Sequence, residues 1–172
     1  MTDALFNDDP TLRRCEAKVV GFEDGAVILD RTVFFAAGGG QPGDAGTVGG
    51  AAVVDTRKGE DGRIRHILAD GAAPPTVGAT IEAVLDWDRR FAHMRMHSAL
   101  HLLCASVEGD VTGGQIGAEK SRLDFNIPGD AVDKATLTEK LNALIAQDAP
   151  ITTRWVDEAE LDATPQLVRT AA

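Results

Sequence analysis

Cysteine is scarce in this chain: Cys15 and Cys104 are its only two in 172 residues. Cys15 follows Arg13-Arg14 and Cys104 sits in a stretch that reads as helix, so the pair outlines no disulfide framework and the small cross-linked secreted scaffolds are excluded. The first residues, MTDALFNDDPTLRR, lack the apolar centre of a secretory signal. No run approaches ~18 apolar residues, so no membrane-spanning helix is expected, and a reducing cytoplasm is the expected location. Cations are also in short supply, with 17 Lys+Arg against 27 Asp+Glu and a formal net charge of −10. This balance excludes a general polyanion binder. A nucleic-acid partner would need a local basic patch acting against the overall field. The candidate patches are Arg13, Arg14 and Lys18; Arg57, Lys58, Arg63 and Arg65; Arg89, Arg90 and Arg95; and Lys120 with Arg122. Scattered solvated cations are the plainer reading of the same residues. Internal repeats and low-complexity segments are absent.

What is present is 44% hydrophobic residues, enough for a core in one domain or two small ones. Residues 12–85 alternate in short valine- and glycine-rich runs. Cys15–Phe22, Ala26–Leu29, Thr32–Phe35, Gly46–Asp55, Ile64–Leu68 and Thr80–Leu85 read as strands separated by Gly-Asp-type turns. Many short strands with such turns predict a small β-barrel or sandwich. The pattern changes at Asp86. Asp86 or Asp88 can cap a helix over Asp86–Ser106, in which Phe91, Met94, Leu102 and Leu103 recur at helical spacing. Residues 111–117 read as a glycine-rich loop, Arg122–Ile127 as a strand, and Asp133–Gln147 as an amphipathic helix with Leu137, Leu141, Leu144 and Ile145 inward. Ile151–Val156 is strand-like, and Asp157–Ala163 reads as a short helix with an acidic start. The expected class is α+β, with a β-barrel-like domain over 1–85 and an α/β domain over 86–172.

Two patterns carry chemistry. His97-Ser98-Ala99-Leu100-His101 sets two imidazoles one helical turn apart, about 40° around the axis. That spacing lets both rings reach one ion, although no glutamate follows the first histidine as in the zincin motif. Two ligands do not close a zinc site. Cys104 is a third candidate, but it lies about 10 Å along the axis from His97 and equally suits a small buried hydrophobe. His93 continues the same stripe. Without a ligand, these histidines read as ordinary core or surface residues. The second pattern is the run from Asp30 to Gly46, in which Gly38, Gly39 and Gly40 precede Gln41-Pro42-Gly43-Asp44. It has neither the Gly-Lys-Ser/Thr ending of a Walker A loop nor the following helix of a dinucleotide fingerprint. Its backbone can approach a ligand closely, or it can be a structural hairpin.

Taken together, DRTVFFAAGGGQPGDAGTV, WDRRFAHMRMHSALHLL and VTGGQIGAEKSRLDF resemble the alanyl-tRNA synthetase editing domain and its free-standing AlaX relatives. The likeness runs from about residue 15 to residue 170, with three motifs in the family's order; the threonyl-tRNA synthetase editing region shares the histidine motif but typically not the glycine-rich one. The resemblance implies a barrel-like first domain and an editing domain whose histidine helix packs on an antiparallel sheet. It implies zinc-dependent, ATP-independent hydrolysis, in trans, of tRNA(Ala) mischarged with serine, with glycine as a further candidate. The partner would be the acceptor end of that tRNA. His97 and His101 match the first pair of zinc ligands. Thr32 matches a threonine that recognises the serine hydroxyl, where a plain reading sees a β-branched strand residue. Gly38, Gly39, Gly40 and Gln41 match the motif that shapes the substrate pocket, and Gln115 lies in the loop where a glutamine sits near the substrate. The family's second ligand pair comes from a C-terminal Cys-x-x-x-His, whereas no histidine follows His101 here. The expectation is therefore a C-terminally truncated editing domain with an incomplete zinc site, and the alternative function is a non-catalytic tRNA- or protein-binding module or an inactive fragment.

Overall fold

The computed structural model of the chain describes residues 1–127, 133–152 and 154–164. A short strand β1 (Asp3–Ala4) and one 3-10 turn lead into β2 (Arg14–Glu23), β3 (Ala26–Leu29), β4 (Arg31–Thr32), β5 (Gly46–Val48), β6 (Ala51–Lys58), β7 (Ile64–Leu68) and β8 (Thr80–Leu85). Six of these close a barrel in the order β2-β3-β7-β6-β5-β8. Its seam is the antiparallel pairing of β2 with β8, from Arg14 opposite Val84 to Lys18 opposite Thr80. Closure leaves no unpaired strand edge in the barrel. β1 pairs outside it, in parallel with β4.

Side chains alternate across a strand, and the alternation decides what fills the barrel. β7 turns Ile64, His66 and Leu68 inward, and β2 turns Ala17 and Val19 inward. They join Val27, Leu29, Val33, Phe34, Val48, Val53, Ala83 and Leu85 among the buried residues. The expected barrel is thus found, with two corrections to its strands. The run Gly46–Asp55 is two strands, because Gly49 and Gly50 take φ of +57° and +85° and reverse the chain; paired positive φ values are those of a two-residue hairpin. The strand expected at Thr32–Phe35 stops at Thr32. There the Phe34 amide donates to the Thr32 hydroxyl at 3.0 Å and the Phe35 amide to Asp44 Oδ2 at 2.7 Å, so side chains take the bonds a ladder would need.

Helix α1 (Trp87–Ser106) leaves β8 after a single residue, Asp86, whose carboxylate accepts from the Arg89 amide at 3.1 Å. Of the two cap candidates, Asp86 fills the role. Strand β9 (Asp110–Gln115) pairs antiparallel with β10 (Arg122–Asn126) in a separate two-stranded sheet. The glycine-rich loop expected at 111–117 is thus largely strand, since pairing with β10 overrides the low strand propensity of Gly113 and Gly114. Helix α2 (Lys134–Ala146) is capped by Asp133, and α3 (Glu158–Ala163) by Asp157. Leu137, Leu141 and Leu144 of α2 are half-buried, but Ile145 is 51% exposed and is not part of the inner side. α1 lies against α2 and touches β10. The described residues of 151–156 form no strand, and Trp155 among them is 92% exposed. Among the described residues no helix is long and apolar enough to cross a membrane.

Candidate functional site

The triglycine segment is a tight turn. The Gly38 amide donates to the Gln41 carbonyl at 3.1 Å and the Gln41 amide to the Gly38 carbonyl at 2.9 Å. Gly39 and Gly40 between them have φ of +56° and +78°, values that L side chains resist. Gly40 also approaches the second sheet: its carbonyl accepts from Ile116 N at 2.8 Å, and a Cβ there would come within 3.0 Å of the Gly114 carbonyl oxygen. The turn is thereby wedged between barrel and β9, and it presents the Gln41 side chain to α1.

On α1 the rings of His97 and His101 stack with centroids 4.9 Å apart and planes 10° from parallel. His97 Nδ1 donates to Gln41 Oε1 at 2.8 Å. An amide oxygen only accepts, so this bond puts the ring hydrogen on Nδ1 and leaves the His97 Nε2 lone pair free. Burial pushes the His97 imidazole below its ordinary value, and the neighbouring His101 adds to the shift. Both causes favour the neutral ring, which is the form that can bind an electrophile. The two neutral imidazoles, centred 4.9 Å apart, offer two of the about four donors that a zinc shell needs. Among the described residues no group of three or more His, Cys, Asp or Glu is placed to hold a metal, so Cys104 does not join the pair.

An ion pair inside the fold sets where α1 sits. Arg90 and Asp44 are 2% and 1% exposed. Arg90 Nε donates to Asp44 Oδ2 at 2.8 Å, and Nη2 reaches the same oxygen and also the Val33 carbonyl at 2.6 Å. Arg90 Nη1 donates to the Pro10 carbonyl at 3.1 Å. One guanidinium thus joins the helix to the residues flanking the glycine turn on both sides. Gly43 adjoins this contact, where any Cβ would overlap the Thr56 carbonyl. His93, one turn before His97, is 3% exposed with Nδ1 unpartnered. Burial first, and the Arg89 charge second, hold its ring below the ordinary value against the pull of Asp44.

The remaining expected residues lie elsewhere. Thr32 is completely buried. His66 Nδ1 donates to the Val27 carbonyl at 2.9 Å, so its Nε2 must accept, and the Thr32 hydroxyl donates to it at 2.8 Å. Burial lowers His66 to about 4. Gln115 is exposed at the end of β9, next to the Ile116 that holds Gly40. Gln41, the glycines and the histidine pair are therefore brought into contact, with Gln115 beside the turn and Thr32 in the barrel. Sequence reading left out His66 and gave Arg90 and Asp44 no place in the site. The inward position of His66 between Ile64 and Leu68 was the available signal for the first; nothing local marks the other two.

A family model of class II (A) tRNA synthetases matches residues 7–89. The alanyl-tRNA editing protein AlaX-M of Pyrococcus horikoshii is 34% identical over 165 residues, covering 92% of this chain and 71% of that protein. The chain belongs to the AlaX family of alanyl-tRNA editing proteins. The AlaX-M protein of Methanosarcina barkeri is 37% identical, with 94% of this chain and 72% of that protein covered. The likeness extends to a segment of the alanine–tRNA ligase of Pyrobaculum aerophilum, 37% identical over 94% of this chain but only 19% of the ligase.

Proposed function

We propose that the chain hydrolyses the aminoacyl ester of tRNA(Ala) mischarged with serine, in trans and without ATP, with glycine a second substrate. The observation that carries this reading is the 2.8 Å bond from His97 to Gln41, which joins the glycine-rich and histidine motifs in one place. His97 and His101 would hold zinc, which when bound supplies Lewis acidity beside the ester. Gln41 orients the His97 ring, the glycine turn lets backbone approach the substrate, and Gln115 lies on the rim. Selectivity requires a polar group that alanine leaves unpaired and serine satisfies. Thr32 is the proposed group. Its hydroxyl hydrogen is committed to His66, so toward a serine hydroxyl it acts as an acceptor, and with no exposed surface it meets substrate only if the segment after β4 moves.

The deciding experiment is deacylation of Ser-tRNA(Ala) by the full chain, with and without a chelator, alongside its zinc content. Hydrolysis that stops with chelator and with His97→Ala is expected; an ester as stable as in buffer overturns the reading. Thr32→Val should lower the serine-to-alanine rate ratio while Thr32→Ser retains it, and equal ratios in both variants would reject the role of Thr32. A second reading, a tRNA-binding module without hydrolysis, is favoured by the presence of only two clustered metal donors among the described residues. It predicts tRNA binding with neither zinc nor turnover.

A further inference from the structure

A neighbouring stripe of α1 carries a four-membered stack. Trp87, Phe91 and Arg95 follow one another at intervals of four residues, so they lie one above the other on the helix. The Trp87 and Phe91 rings stack at 5.9 Å with planes 22° apart. The Arg95 guanidinium lies over Phe91 at 5.9 Å, and the Arg13 guanidinium lies over Trp87 at 4.5 Å. Arg13 comes from the other end of the sequence and is fixed there because its carbonyl accepts from the Leu85 amide at 2.9 Å. Each ring is contacted by the other and by one guanidinium, which restrains the two guanidiniums.

Charge supplies the second observation. Among the described residues every arginine except Arg13, Arg89 and Arg95 has a carboxylate partner. Arg89 turns inward, toward the Gly43 carbonyl at 3.3 Å. In a chain of net charge −10, the two exposed arginines left unneutralised are therefore the two that cap this stack. They join one member each from two of the basic patches that the sequence lists apart. The stack also shares a helix with the candidate site: Phe91 lies about 9 Å and Trp87 about 15 Å along the axis from His97.

We infer that Arg13 and Arg95, braced by Trp87 and Phe91, form a phosphate-contact surface for the sugar-phosphate backbone of the acceptor arm of the tRNA. The inference rests on the editing reading above and gives it a docking direction, along α1 toward His97. Held guanidiniums suit phosphate oxygens because their donor edges stay free when their faces are stacked. The contact carries no sequence information; it adds affinity and register.

The test uses the full chain and uncharged tRNA(Ala) transcript, with binding measured across a salt series. Arg13→Gln and Arg95→Gln should each reduce the slope of log K against log salt by roughly 0.7–0.9, and together weaken Kd by about tenfold near 0.1 M salt. Deacylation of Ser-tRNA(Ala) by the double variant should show raised KM with kcat retained. Arg57→Gln, an ion-paired arginine on β6, should change neither quantity. In a Trp155→Phe background, Trp87 is the sole tryptophan and its fluorescence should change on tRNA addition but not on addition of inorganic phosphate. If the parent chain binds and hydrolyses while the double variant keeps its salt slope, the surface assignment falls and the editing reading stands. A changed oligomeric state in the double variant, with unchanged RNA affinity, assigns the stack to protein contact and overturns the inference. If the parent chain neither binds nor hydrolyses, both fall.

Discussion

At the scale of single residues, the site turns on the side chain of Gln41. It joins the glycine turn to the histidine pair by a hydrogen bond, and its acceptor oxygen selects which His97 nitrogen carries hydrogen. Outer partners of this kind typically change metal affinity 10–100-fold. Gln41→Met should therefore weaken zinc binding by about that factor, measured by competition with a chromogenic chelator, whereas Gln41→Glu, which keeps an acceptor, should retain it. Equal affinity in parent and Gln41→Met would remove Gln41 from any role in orientation. The role was invisible in the sequence, because Gln41 and His97 are 56 residues apart and tertiary structure brings them together.

At the scale of elements, the question is what holds α1 against the barrel. The cap at Asp86 starts the helix, but the Arg90–Asp44 pair fixes its direction, since Arg90 bonds on both sides of the glycine turn. Removing one partner of a buried pair strands the other and costs about 3–5 kcal/mol. Asp44→Ala should lower stability by that order in urea unfolding and abolish zinc uptake under conditions where the protein is still folded. A loss under about 1 kcal/mol would mean the pair is not the clamp. Legibility in the sequence follows the same logic. Strands such as Ala26–Leu29 and Ile64–Leu68 and the helix after Asp86 could be read from alternation, helical spacing and caps, which are local. The end of β4 and the strand at Asp110–Gln115 could not, because partners decide them: a hydroxyl and a carboxylate for the first, β10 for the second. The Gly49-Gly50 reversal is a local hairpin signal that the reading of one continuous strand passed over. The histidine pair and the glycine motif were legible as motifs; their contact, and the arginine that enforces it, belong to tertiary structure.

At the scale of the whole molecule, buried neutral histidines couple stability to acidity. His66 titrates near 6.5 when unfolded and at about 4 in the barrel, so the unfolded chain takes up its proton first as pH falls. The contribution is complete above about pH 6.5 and is lost progressively down to about pH 4, by at most ~3 kcal/mol. His93 and His97 are shifted in the same direction and steepen the loss. Urea midpoints measured between pH 7.5 and 4.5 should fall accordingly, and His66→Asn should flatten the curve; a parallel decline in both proteins would show that His66 is not its source. The barrel seam has one more consequence. β2 meets β8 across the longest separation in the barrel, so closure waits for Leu85, yet it needs nothing that follows. During synthesis on the ribosome, the barrel strands can pair before the segment bearing His97 and His101 emerges. Asp44 would then already be in place when Arg90 arrives, and the order of translation would itself favour correct docking of the helix.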